Sequence, residues 1–330
     1  MGKEAQPRGL VLALGSGGAR GLAHIGVLQV LEEAGIQVHA IAGTSVGAEI
    51  GAFLAAGMPL PELVTLANSF DWKRTLGLFF PDLPSGGGVA SGKNIMAFLS
   101  SSLGREYLIE ELSIGYVAVA ADLESGKQVV IDRGSLIDAV RASISMPAVL
   151  SPHLVNGRLL VDGGIVNPVP FDVARTFFGG PVVAVAVNAG SLGFSPKEWQ
   201  MSPSSLWFDR IQQLLEQPWV KQAKPIRNWL QAQLSSSEKD NGKKPAWSAR
   251  RVLDQVTDIT TAQLMHLRME FDGPDLFLVP DVRSIGPLEF YRSEEAIAAG
   301  RTVAKTWLPE IRELVQSASN QGENNFSGVM

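Results

Sequence analysis

Cysteine is absent from the 330 residues, which excludes disulfides, thiolate zinc sites and a cysteine nucleophile at once. Histidine is scarce: only His24, His39, His153 and His266 could act as an imidazole base or metal ligand. No apolar run approaches the roughly 18 residues that cross a bilayer. The opening MGKEAQPRGL has no long apolar region of the kind a secretory signal needs. Gln6 stands where a myristoylation pattern starting at Gly2 requires Ser or Thr. Basic charge is not in excess either: 28 Lys and Arg face 33 Asp and Glu for a net charge of −5, which argues against a broad nucleic-acid surface. What is present is a chain with 45% hydrophobic residues, long enough to bury a large core as one large domain or two smaller ones. The expectation is a cytoplasmic protein, with peripheral contact at the inner face of the membrane left open.

Glycine-rich turns organise the first third. GLVLALG (9–15) reads as a buried strand, and GLAHIGVLQVLEEAG (21–35) as a helix closed by Gly35. VHAIAG (38–43) is a second strand running into the helix TSVGAEIGAFLAAG (44–57). Strand, tight turn and helix twice over is the rhythm of a parallel sheet covered by helices. Further Val- and Ile-rich strands are expected over 115–123, 127–132, 158–164, 181–188 and 275–282. The turn at 15–21 aims backbone N–H groups at one spot beside a helix N-terminus, which suits a phosphate or an oxyanion. The dinucleotide fingerprint fails on spacing, because Arg20 occupies its last glycine position. A near P-loop at Gly87–Asn94 places Asn94 where a magnesium-binding hydroxyl belongs and follows no buried strand. That stretch reads as a polar loop.

Gly43-Thr44-Ser45-Val46-Gly47 fits the G-x-S-x-G elbow, in which flanking glycines let the chain turn so sharply that the serine hydroxyl stands clear at a strand end. The alternative is a small-residue helix N-cap. If Ser45 is a nucleophile, the 15–21 turn supplies an oxyanion hole, where one donor is worth about 3–4 kcal/mol at the transition state. The base remains open. The order Ser45, Asp162, His266 is that of an α/β-hydrolase triad, but His266 falls inside the amphipathic helix pattern TAQLMHLRMEF, with no loop to deliver it. His24 lies one turn into the first helix and reads as a packing residue or a neighbour of the site. Asp162 ends a predicted strand and precedes two glycines, where α/β folds collect catalytic groups. It is equally compatible with a plain turn aspartate.

GSGGARG (15–21), GTSVG (43–47) and DGG (162–164), with AHIGVLQVLEEAGI, ASISMP and DGGIVNPVP around them, together resemble the patatin-like phospholipase family, most closely its neuropathy-target-esterase-like bacterial branch. The resemblance spans residues 9 to about 190. It implies a three-layer α/β/α sandwich around a mostly parallel central sheet. It also implies a serine–aspartate dyad with no catalytic histidine, metal or other cofactor. Carried over, Ser45 matches the nucleophile and Asp162 the general base. Gly17, Gly18 and Ala19 match the oxyanion loop, and Arg20 its basic residue. Gly43, Gly47, Gly163 and Gly164 match the supporting glycines. Ser16 departs from the glycine many members carry there.

The implied reaction is hydrolysis of a lysophospholipid, phospholipid or related acyl ester through an acyl-enzyme. The alternatives are a triad esterase using His266 and a non-catalytic lipid-binding or regulatory protein of the same fold. Residues 70–88 set Leu76, Leu78, Phe79 and Phe80 beside a glycine-rich turn, as either an acyl-chain wall or core packing. Residues 191–250 differ in texture. Within 194–250, nine basic residues against five acidic ones and five of the seven tryptophans suit a helical excursion on an anionic membrane surface, or one folded against the domain. Residues 251–316 are expected to complete the catalytic domain, and 317–330 to form a polar, disordered tail.

Overall fold

A computed structural model describes residues 9–79, 90–147, 149–188 and 249–327. The contacts divide the chain into Met1–Leu192 with Thr261–Met330 as one compact unit, and Gly193–Thr260 as another. Of the second unit only 249–260 are described, and they are helical. The basic, Trp-rich stretch up to residue 248 and the glycine-rich turn at 80–89 lie outside the described residues.

The first unit is built on an eight-stranded sheet. Strands β1 (Leu10–Leu14), β2 (Val38–Thr44), β3 (Gly115–Asp122), β7 (Val182–Val185) and β8 (Leu276–Leu278) run parallel in the order β3-β2-β1-β7-β8. Beyond β3 the pairing turns antiparallel, with β4 (Gln128–Ile131) and β6 (Arg158–Asp162) on β3, and β5 (His153–Val155) on β6. The sheet is therefore mixed and mostly parallel.

Helices cover both faces, as the wholly apolar sequence of β1 requires. Leu10, Leu12 and Leu14 face one core with Ile25 and Leu31 of α1 (Ala23–Glu33) and Phe53 of α2 (Val46–Ala55). Val11 and Ala13 face the other core, with Phe171 and Val173 of α7 (Phe171–Phe178) and Met265 of α8 (Ala249–Phe271). The period of two along a strand sorts these side chains into opposite layers. The first face also carries α3 (Leu60–Asn68), α5 (Lys93–Leu103) and α6 (Leu136–Ser143), and α4 (Trp72–Phe79) packs on α5. No helix among the described residues is long and apolar enough to cross a membrane.

Two expectations change. The strand expected over 275–282 is confined to Leu276–Leu278, because Pro280 follows and cannot donate to a ladder. The tail expected to be disordered from Ser317 is helical through Ser327, as the continuation of α10 (Leu308–Ser327). Ile311 is fully buried and anchors the first turns, after which each added residue gains a hydrogen bond without a new nucleation cost.

The C-terminal helices are bound closely to the first layer. Helix α9 (Ser293–Thr306) crosses α1 at a paired glycine contact: a Cβ on Gly300 would collide with the Ala23 carbonyl, and one on Gly26 with the Ile297 carbonyl. Arg301 adds hydrogen bonds of 2.8 and 2.9 Å to Glu33 across the same crossing. Backbone cannot yield as a side chain can. Gly300→Leu is therefore expected to lower stability by about 3 kcal/mol, read as a reduced midpoint in urea at unchanged slope. Gly273→Leu, where only a Met269 carbonyl at 3.8 Å lies near, serves as the control.

Candidate active site

Ser45 occupies the turn between β2 and α2 with φ 56° and ψ −125°, a backbone state that costs a residue with a Cβ roughly 1–3 kcal/mol. The surroundings hold it there. Its N–H donates to Ser143 Oγ at 2.8 Å, and that hydroxyl donates to the Val119 carbonyl at 2.6 Å. Thr44, fully buried, donates to the Asn167 carbonyl at 2.9 Å. Gly43 and Gly47 permit the close passage of chains, since a Cβ on the first would collide with the Ala48 backbone and one on the second with the Leu14 carbonyl.

Asp162 ends β6, where its N–H donates to the Ser145 carbonyl at 2.9 Å. Ser45 Oγ donates to Asp162 Oδ2 at 2.6 Å, and the Gly164 N–H donates to Oδ1 at 2.7 Å. Both side chains are buried. Desolvation pushes the carboxyl up to about 6, against the opposing pull of the bonds from Ser45 and Gly164. Of the two readings open for Asp162, base or turn residue, its carboxyl bonds both the Ser45 hydroxyl and the turn N–H of Gly164.

The glycine loop runs beside this pair. Gly15 N–H donates to the Val185 carbonyl at 3.0 Å and Ser16 N–H to the Pro168 carbonyl at 2.8 Å. Ser16 fills the space beside Gly164, where a Cβ would meet its Oγ at 3.0 Å. Gly18 has φ +57°, and a Cβ there would collide with the Pro287 carbonyl. That same carbonyl accepts the N–H of Ala19 at 2.9 Å. Ala19, expected among the oxyanion donors, therefore has its amide engaged, and the amides of Gly17 and Gly18 are the ones without a backbone acceptor among the described residues. Arg20 fastens the loop through Nε to the Ile285 carbonyl at 2.8 Å and Nη1 to Asn188 at 3.2 Å.

Three of the four histidines have their partners away from Ser45 and Asp162. His24 is fully buried, with Nε2 2.8 Å from the Gly15 carbonyl and Nδ1 unbonded, which assigns the neutral tautomer donating from Nε2. Desolvation pushes its pKa down to about 4, so it supports the loop as a neutral donor. His266 is exposed on α8, 3.6 Å from Glu270. His153 pairs with Asp138 at 2.8 Å.

Several supporting residues carried no motif of their own. Ser143 lies in the ASISMP stretch, residues 142–147. Buried Arg141 donates to Ser145 Oγ at 2.6 Å and to the Ser91 and Ser151 carbonyls at 3.0 and 2.9 Å, bracing the segment that receives the Asp162 N–H. Pro287 lies more than a hundred residues beyond the last motif. An apolar pocket opens beside Ser45, walled by Val46, Phe70, Leu78, Ile95, Phe98, Ile144, Met146, Leu150, Leu288 and Phe290, with Gly18 and Glu49 also facing it. Leu78 and Thr75 place α4 in this wall. Phe80 of the expected hydrophobic wall lies outside the described residues.

Because folding raises the Asp162 pKa, the protonated form is favoured in the folded state. This contribution is full below about pH 4 and is lost as pH rises through about 6. Asp162→Asn keeps a group that can bond both Ser45 and Gly164 without the buried charge. The variant is expected to be more stable than the parent at pH 8, by up to about 3 kcal/mol. The gap should close as pH falls from 6 towards 4, measured by thermal and urea unfolding of both proteins. His24 titrates in both and cancels from the difference.

A family model described as "Patatin-like phospholipase" matches residues 12–175. An uncharacterized NTE family protein of Mycobacterium tuberculosis is 33% identical over 332 aligned residues, covering 91% of each chain. The patatin-like phospholipase domain-containing protein 7 of Mus musculus is 35% identical over 194 residues, covering 55% of this chain and 14% of that one. Among solved structures, VipD from Legionella pneumophila superposes with a TM-score of 0.42 at 13% identity, over 95% of this chain and 67% of VipD, a likeness too slight to carry an argument. On the 33% identity to a relative covered over 91% of both chains and on the family model, this chain belongs to the patatin-like phospholipase family.

Proposed function

We propose that the protein is a serine acyl-ester hydrolase of the lysophospholipase or phospholipase A type, working through a Ser45–Asp162 dyad. The supporting observation is the 2.6 Å hydrogen bond from Ser45 Oγ to a buried carboxylate, made at a strained strand-to-helix elbow that opens on an apolar pocket. Asp162 takes the hydroxyl proton as Ser45 Oγ attacks the ester carbonyl carbon. The negative charge moves to the carbonyl oxygen, where the N–H groups of Gly17 and Gly18 stabilise it at the head of the 3-10 turn and α1. As the tetrahedral intermediate collapses, the alcohol departs with the proton from Asp162 and leaves an acyl-Ser45. Asp162 then removes a proton from water as the water attacks the acyl carbon, and the second tetrahedral intermediate collapses by breaking the bond to Ser45 Oγ, which takes the proton back from Asp162 as the fatty acid leaves.

Burial serves this scheme directly. An ordinary aspartate near 3.9 is a weak base, whereas a carboxyl raised to about 6 is still ionised at neutral pH and accepts a proton more readily. No step calls for a metal. The family relationship supports a lipid ester as substrate, and the apolar walls beside Ser45 support an acyl chain in the pocket. The basic, Trp-rich residues 194–250 would provide contact with anionic lipid.

Exposing the full chain to a fluorophosphonate, then mapping peptides by mass, is expected to give one adduct on Ser45. Asp162→Asn should slow its formation by roughly a hundredfold or more. The absence of an adduct on folded, lipid-supplemented protein would leave a binding protein of the same fold instead. With an acyl ester, kcat/KM is expected to rise as pH increases through about 6, as Asp162 loses its proton, and to survive dialysis against EDTA unchanged. His266→Ala is expected to keep kcat/KM within about twofold. A loss of about a thousandfold, the scale of a missing triad member, would move the base to histidine.

A further inference from the structure

Glu49 is unexplained by the dyad chemistry. It lies one helical turn beyond Ser45, its N–H donating to the Ser45 carbonyl at 3.0 Å, so its side chain shares the face of α2 nearest the nucleophile. It is half-buried and forms part of the same pocket as Ser45. The same cavity is lined by Phe70, Ile95, Phe98, Ile144 and Phe290, and beyond Ser45 and Glu49 its polar side chain among the described residues is Thr75. The Thr75 hydroxyl is engaged with the Asp71 carbonyl at 2.9 Å. No lysine, arginine or histidine among the described residues lines the cavity. The nearby Tyr116 hydroxyl donates to the Ala48 carbonyl at 2.9 Å rather than to Glu49. The Glu49 carboxyl therefore has no hydrogen-bond or ion-pair partner among the described residues.

A carboxyl left without a partner works against an acyl pocket. A saturated chain filling this cavity would cover the group and strand its polar atoms, at a cost of the kind that separates substrates bearing or lacking one hydroxyl. Resting on the hydrolase reading above, we propose that Glu49 selects acyl chains carrying a hydroxyl near the ester, which bonds its carboxyl inside the pocket. Desolvation pushes the group up to about 7 despite its place in the first turn of α2, where the helix dipole favours an anion. It thus enters the apolar pocket largely as a neutral acid below that pH. A neutral carboxyl both donates and accepts, and a hydroxyl is its complement.

The test uses esters of one alcohol with decanoic acid and with hydroxydecanoic acids in which the hydroxyl is moved outward from the second acyl carbon. For the full-length wild-type chain at pH 6.5, kcat/KM is expected to be about tenfold higher for a hydroxylated ester at one position near the carboxyl end than for the plain ester. Glu49→Leu should abolish that preference and raise kcat/KM for the plain ester, whereas Glu49→Gln, which can still donate and accept, should keep it. A flat profile along the chain, or a preference unchanged in Glu49→Leu, overturns the assignment. A choline ester favoured over its neutral carbon isostere, with the advantage lost in Glu49→Gln, overturns it too and makes Glu49 an anionic site for a quaternary ammonium. Turnover of the plain ester with no hydroxyl preference fails this inference alone. No turnover of any ester, together with no fluorophosphonate adduct on Ser45, fails the hydrolase reading itself.

Discussion

The site depends on holding one serine in a backbone conformation that its own Cβ disfavours. Ser45 at φ 56° turns its hydroxyl towards Asp162, and its neighbours keep it there. Gly43 and Gly47 let the strand, the helix and the end of β1 pass closer than side chains allow. Ser143 Oγ accepts from the Ser45 N–H and donates its own hydroxyl to the Val119 carbonyl of β3. Thr44 is bonded to the segment that follows Asp162. The local strain is thus balanced by contacts from β1, β3, α6 and the Asp-Gly-Gly turn, and it survives only in the assembled sheet.

Desolvation is the second shared constraint, and it acts on three groups with different results. It pushes the Asp162 carboxyl up to about 6, while bonds from Ser45 and Gly164 retain the charged form near neutrality. The His24 ring is pushed down to about 4 and stays neutral, which suits a donor to the Gly15 carbonyl. Glu49 has no bonded partner to offset its burial, and its carboxyl rises to about 7. Burial therefore leaves the three groups with different protonation balances, according to the hydrogen bonds each receives.

The glycine loop also shows how a distant segment shapes a local motif. By itself GSGGARG offers a row of interchangeable amides. The carbonyl of Pro287 occupies the amide of Ala19 and leaves no space for a Cβ on Gly18, while Ile285 receives Arg20 Nε. The loop before α9 thereby selects which donors remain available, and α9 is itself seated on α1 through Gly300 and Gly26.

The parallel strands and the elbow were legible from the residues because each depends on local rules. A continuous apolar run such as LVLAL needs cover on both faces, and glycines flanking Ser45 permit a sharp turn wherever the chain goes next. The sequence determined the strand–turn–helix repeat, placed Ser45 and Asp162 at strand ends and excluded thiol chemistry. Whether Asp162 reaches Ser45, which loop amides stay unengaged, how far the C-terminal helix extends and that Glu49 enters the pocket were decided only by tertiary structure. The reason is the same in each case. A hydrogen bond between residues 45 and 162 or 19 and 287 is set by how strands and loops distant in sequence are brought side by side, and no local period in the chain encodes that distance.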